Sequence, residues 1–148
     1  MKLFMIRQRF VVCGNYDTTS ILQTLMKSRC EYFNVEFYRV NFYDNYNEYW
    51  KEIGPKIHSL YFVDCMIGEE TFGDVIINCT EMEHVSFSFQ YLKIPSLKLF
   101  TLSLFENLYK QRIERRKVVS FDLQINSNGW FSNAIISNLF AIFPNISR

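Results

Sequence analysis

A right-handed α/β solenoid, built as a single domain over residues 1–148, is the fold class this sequence predicts, and three observations predict it. Apolar side chains return every 25 residues at Phe10, Val35, Leu60 and Val85, and again two positions later at Val12, Phe37, Phe62 and Phe87. Within each such stretch the apolar positions alternate in period two, as a strand requires, and the stretch that follows carries them at helical spacing. With five glycines and three prolines in 148 residues, neither collagen-like nor linker-like composition explains the periodicity.

The repeat has a physical reason. A short strand with one helix cannot bury its own apolar face, but stacked copies complete one another's interior. One unit reads Ile57-x-x-Leu60-x-Phe62-x-x-Cys65-x-Ile67, the frame of a leucine-rich repeat with Cys at its Asn/Cys position. The unit before it, Tyr32-x-x-Val35-x-Phe37-x-x-Val40-x-Phe42, and the one after it, Met82-x-x-Val85-x-Phe87-x-x-Gln90-x-Leu92, keep the apolar frame and lose the Asn or Cys. Phe10-x-Val12-x-x-Asn15 and Val118-x-x-Phe121-x-Leu123-x-x-Asn126 restore it at the two edges. About five repeats are therefore expected, with parallel strands on a concave side and helices on a convex side. Val85 to Phe121 is a step of 36 rather than 25, which places an insertion around residues 96–117.

Three helices are legible between the strands. Thr18, Thr19 and Ser20 are expected to cap one carrying Ile21, Leu22, Leu25 and Met26. Asp44 or Asn45 opens one carrying Tyr49, Trp50 and Ile53, which Gly54-Pro55 stops. Glu69 and Glu70 lead into Phe72, Val75 and Ile76.

Sixteen basic against fifteen acidic side chains leave a net charge of +1, so no global field draws in nucleic acid or an acidic membrane. The first residues, Met1 to Arg7, offer an apolar run too short for a signal core or a membrane span, and an intracellular protein is expected, cytoplasmic or nuclear. The sequons at Asn78 and Asn145 are accordingly read as unmodified. Cys13, Cys30, Cys65 and Cys79 lie 17, 35 and 14 residues apart; that spacing suits reduced, packed thiols rather than a zinc or redox pair.

Signatures of chemistry are weak throughout. His58 and His84 fall in successive strand approaches, but packing accounts for Cys65 and Cys79, so no metal site is expected. No Gly-x-Ser-x-Gly elbow and no phosphate-cradling glycine loop occurs. Glu69 with Glu70, and Glu81 with Glu83, suit a helix start and a turn rather than an acid/base pair. The reading is a protein with no catalytic residues, no cofactor and no enzyme activity. Residues 110–117 carry five basic side chains interrupted by Glu114; a solvated loop or an acidic protein partner is favoured there over nucleic acid, because no groove-reading helix or stacking motif accompanies them.

Alternation assigns the outward strand positions to the concave face: Val11, Cys13, Glu36, Tyr38, Tyr61, Val63, Ser86, Ser88, Asp122 and Gln124. Tyr43, Tyr46, Tyr49 and Trp50 fall at core or helix positions, whereas Tyr38 and Tyr61 point out on adjacent strands. Stiff amphipathic rings of that kind make good anchors for a protein partner.

From Ile57 to Phe89 the chain resembles the ribonuclease-inhibitor-like leucine-rich repeats of F-box proteins. The passage Ile76-Ile77-Asn78-Cys79-Thr80-Glu81-Met82-Glu83-His84-Val85 is similar to that family's turn from helix to next strand, and Phe143-Pro144-Asn145-Ile146 looks like the same turn with Pro-Asn in place of Thr-Glu. The resemblance implies that the repeats select a substrate for ubiquitin transfer while an F-box, absent from these residues, docks the adaptor of a cullin ligase. It further implies that the segment belongs to a longer solenoid, with apolar stack ends that favour association. A scaffold or inhibitor-like repeat domain unrelated to ubiquitin is the alternative, and a nucleic-acid binder using residues 110–117 is a third reading.

Overall fold

A computed structural model of the chain describes residues 7–14, 17–42, 44–67, 69–89, 102–125 and 133–146. They run β1 (Arg7–Cys13), α1 (Thr18–Lys27), β2 (Tyr32–Tyr38), β3 (Asn41–Phe42), α2 (Asn47–Ile53), β4 (Ile57–Val63), β5 (Met66–Ile67), α3 (Glu69–Asn78), β6 (His84–Phe89), α4 (Leu102–Lys110), β7 (Ser120–Ile125) and α5 (Asn133–Ile142). The class is α/β. Five strands form one sheet in the order β1-β2-β4-β6-β7, so spatial order follows chain order, and every pairing is parallel. A second, two-stranded parallel sheet pairs β3 with β5, which the sequence did not announce. Among the described residues, no helix is long and apolar enough to cross a membrane.

The register is the one the 25-residue interval predicts. Phe10, Val35, Leu60, Val85 and Phe121 are successive partners across the sheet, as are Val12, Phe37, Phe62, Phe87 and Leu123. Val35, Phe37, Leu60, Phe62, Val85 and Phe87 are buried with Trp50, Phe72, Val75 and Ile76 from the helices in one apolar cluster. Phe62 stacks on Phe37 at 5.6 Å and on Phe87 at 5.1 Å, while Phe42 meets Phe37 and Phe62 edge-on. Burying each such ring is worth about 1.5–3 kcal/mol, and each ring pair adds about 0.5–1.5 kcal/mol.

The helices start and stop for local reasons, one of which differs from expectation. Asp17, not Thr18 to Ser20, caps α1: its carboxylate accepts from the Ser20 N–H at 3.2 Å. Thr18 instead donates its hydroxyl to the Asn41 carbonyl, and Thr71 at the start of α3 does the same to Phe42. Ile21, Leu22 and Leu25 are buried, but Met26 is largely exposed. At the start of α2, Asn45 accepts from the Asn47 N–H. Gly54 then ends α2 where a Cβ would come within 2.8 Å of the Asn78 carbonyl oxygen, so the ends of α2 and α3 lie together only because no side chain intervenes.

β4, β6 and β7 are preceded by the same hydrogen-bonded turn: Ile57 N–H donates to the Gly54 carbonyl, Met82 to Cys79 and Val118 to Arg115, and the Ile146 N–H repeats it to Phe143 after α5. At the far ends of β2 and β4, Arg39 and Asp64 adopt φ of 55° and 52° and donate to the next strand through Val63 O and Ser88 O. Cys65 donates its thiol to the Phe37 carbonyl at 3.3 Å; burial pushes this thiol up to about 11, and that of Cys79 up to about 12.

Within the stretch 96–117, helix α4 occupies 102–110 and connects β6 to β7. Neither it nor the further helix α5 was legible in the sequence. Asn15, Tyr43, Gln90, Leu92 and Asn126, singled out above, lie outside the described residues, as do 96–101.

Candidate protein-recognition surface

The ten outward positions come together as two lateral rows spanning all five strands. Val11, Glu36, Tyr61, Ser86 and Asp122 are successive partners in one row, and Cys13, Tyr38, Val63, Ser88 and Gln124 in the other. They share a face because side chains along a strand alternate and the ten stand in register across the five strands. Val11, Cys13, Asp122 and Gln124 are exposed; Glu36, Tyr38, Tyr61, Val63 and Ser86 are half-buried. Ser88 departs from expectation at 8% exposure; it holds its place in the row but offers little to a partner.

The face divides in two. Over β1, β2 and β4 it is apolar and aromatic, with Val11 54% exposed beside Tyr38, Tyr61 and Val63. Over β6 and β7 it is polar: Ser86 and Gln124 both donate to one oxygen of Asp122, at 3.4 and 3.1 Å.

Glu36 organises the aromatic half. Arg9 donates to its Oε1 from Nε at 3.1 Å and from Nη2 at 2.7 Å, and the Tyr38 hydroxyl donates to Oε2 at 3.0 Å. That hydrogen bond and the Glu36 charge raise the Tyr38 phenol above its ordinary value, so the ring stays a neutral donor with its position fixed. Tyr61 faces Glu36 across the strand pair. Arg9 was not among the residues read from the sequence. The signal was there, since Arg9, Asn34, Ser59 and His84 share the 25-residue interval and form a third row closed by Ser120.

Where the strands leave the sheet, a cleft of about 420 Å³ is lined by Cys13, Gly14, Tyr38, Arg39, Val63 and Asp64. A Cβ on Gly14 would overlap the Arg39 carbonyl oxygen at 1.9 Å, so glycine is what lets β1 close against β2 there.

The histidines do not converge. His84 pairs across the sheet with Ser59, while His58 packs edge-on against Tyr32 with Nδ1 3.8 Å from a Glu83 oxygen. Among the described residues, no three of His, Cys, Asp and Glu are placed to hold a metal ion.

One residue of the basic run, Arg115, serves as a clamp on the helix side. Arg115 donates from Nε and Nη2 to the Ile76 and Ile77 carbonyls, both at 2.6 Å, satisfying orphan acceptors at the end of α3. Its own N–H donates to the Ile142 carbonyl of α5. Lys117 pairs with Glu81, and Arg116 with Glu114.

No family model, no curated protein and no solved structure matches the chain.

Proposed function

We propose that the chain is a leucine-rich-repeat solenoid, right-handed and about five units long, that recognises a protein on the outward, concave face of its sheet. In-order parallel strands, the 25-residue register and the recurrent entry turn support the repeat reading. The observation that carries the function is the pair of five-residue rows, presenting fixed aromatic rings beside hydrogen-bonding groups on the face away from the helices. Interfaces are built from such centres, with aromatic anchors inside a polar rim.

The Asn78-Cys79 passage favours the finer reading, in which the bound protein is a substrate for ubiquitin transfer and this chain is the selecting part of an F-box-type subunit inside the cell. Affinity purification of the gene product at its natural length tests both levels. Recovery of a cullin and its adaptor supports the ligase reading, and their absence removes it in favour of a scaffold or inhibitor-like module. A co-purifying protein that is lost when Tyr38 and Tyr61 are replaced by alanine supports the recognition face; one that persists removes it.

A further inference from the structure

We infer that the helix side carries a second docking site, a groove between the ends of α4 and α5 that takes an acidic peptide segment bearing an apolar anchor. The groove holds about 750 Å³. Its lining combines the apolar Ile113, Phe140, Ile142 and Pro144 with the cations Lys110 and Arg112, and Tyr109 among them is 66% exposed. A large ring left in water beside apolar side chains is the arrangement of an anchor pocket rather than of a solvated loop.

Charge decides the occupant. Three cations of the run are already used: Arg115 by the α3 carbonyls, Arg116 by Glu114 and Lys117 by Glu81. Among the described residues, Lys110 and Arg112 make no ion pair. Glu114, the acid in the lining, has its carboxylate engaged by the Arg116 Nε at 2.8 Å. Among the described residues the groove therefore presents two cations outside any ion pair and one acid already paired, and a partner with carboxylates flanking an apolar side chain complements it. Nucleic acid fits less well, because the lining supplies aliphatic surface where a phosphate backbone would need further cations.

Backbone geometry adds a second, independent observation. Helix α4 closes in a full Schellman motif: Ile113 N–H donates to Leu108 O at 3.1 Å and Arg112 N–H to Tyr109 O at 2.9 Å, with Ile113 packed against the core. Arg112 occupies the left-handed position of that motif, at φ 56°, where glycine is the residue of choice. The motif fixes the backbone from which the Arg112 side chain leaves, so the cation is held beside the groove by a closed helix end rather than by a free loop.

Fluorescence anisotropy is measured on the full chain with a short labelled peptide of glutamates surrounding one phenylalanine and one leucine. Controls are the same peptide with glutamines for glutamates, the same peptide with alanines for its apolar residues, and oligouridylate. Saturable binding of the acidic apolar peptide alone is expected. Arg112→Gly should weaken it about fivefold, the scale of one exposed ion pair, while the thermal midpoint rises or holds. Arg112→Lys should retain most of the affinity and Tyr109→Ala should lose it. The proposal is overturned by no saturable binding, by equal binding of the glutamine peptide, by preference for oligouridylate, or by an Arg112→Gly variant that binds as well as the parent. Alanine at Tyr61 on the sheet face should leave this binding unchanged, which separates its outcome from that of the concave surface.

Discussion

Phe62 lies face to face with Phe87 on the next strand, ring centroids 5.1 Å apart and planes within 10°, and it is fully buried. Tyr61, one residue earlier, projects to the opposite face. Replacing Phe62 by alanine should therefore cost about 3–5 kcal/mol, as for other buried rings, whereas Tyr61→Ala should cost no more than about 1 kcal/mol. Urea unfolding of the two variants measures this directly, and the opposite ranking would mean that the faces of the sheet are reversed.

Arg115 should matter far more to stability than its neighbour Arg116. Its guanidinium satisfies two carbonyls at 2.6 Å in half-buried surroundings that lower its pKa, and a charged hydrogen bond of this kind is worth about 1.5–3 kcal/mol. Arg115→Met is expected to lose roughly 2 kcal/mol. Arg116→Met, which breaks a mostly exposed pair, should change stability by less than about 0.5 kcal/mol. Equal losses would deny the clamp on α3.

The thiols should divide by burial. Cys13 is exposed, while Cys30, Cys65 and Cys79 are buried and free of disulfides. A thiol-specific reagent should give one fast phase in the folded protein, abolished by Cys13→Ser, and further reaction only on unfolding. Desolvation holds Cys65 up to about 11 and Cys79 up to about 12 from an ordinary 9.0, so the folded state keeps protons that the unfolded chain releases. Their contribution to stability is complete below pH 9 and is lost as pH climbs through those raised values. Denaturation midpoints that stay flat above pH 9 would contradict the burial.

Asp74 carries the same sign in the acid range. Burial raises its carboxyl from 3.8, opposed by the hydrogen bond from Asn47. Stability from this group is present below 3.8 and is lost as pH rises through its folded value. Asp74→Asn keeps an oxygen for Asn47 and should flatten that part of the pH profile while holding or raising stability at neutral pH; a larger acid-to-neutral loss in the variant would reverse the assignment.

How much of this was legible depended on period. The strands and their register could be read because Phe10, Val35, Leu60 and Val85 stand 25 apart, and one shifted residue would turn every side chain over. The face inherited that accuracy, since Val11, Glu36, Tyr61 and Ser86 are fixed once the core row is fixed. Helix α4 was missed because the 36-residue step broke the interval and made its segment look surplus. Ser88 was misjudged because alternation gives the direction of a side chain and not what covers it. The roles of Arg115 and Asp17 depend on carbonyls and N–H groups brought near by folding, which no spacing of side chains announces.

The sheet's outward face is proposed to receive the protein that is lost from the natural-length product when Tyr38 and Tyr61 become alanine. Photo-crosslinking tests it most directly, with a benzophenone amino acid placed singly at Tyr61, at Val63, or at Gln23 on the exposed side of α1. One discrete adduct is expected, the same partner from Tyr61 and from Val63, and none from Gln23. An adduct formed from Gln23 while Tyr61 and Val63 stay unlabelled would contradict it.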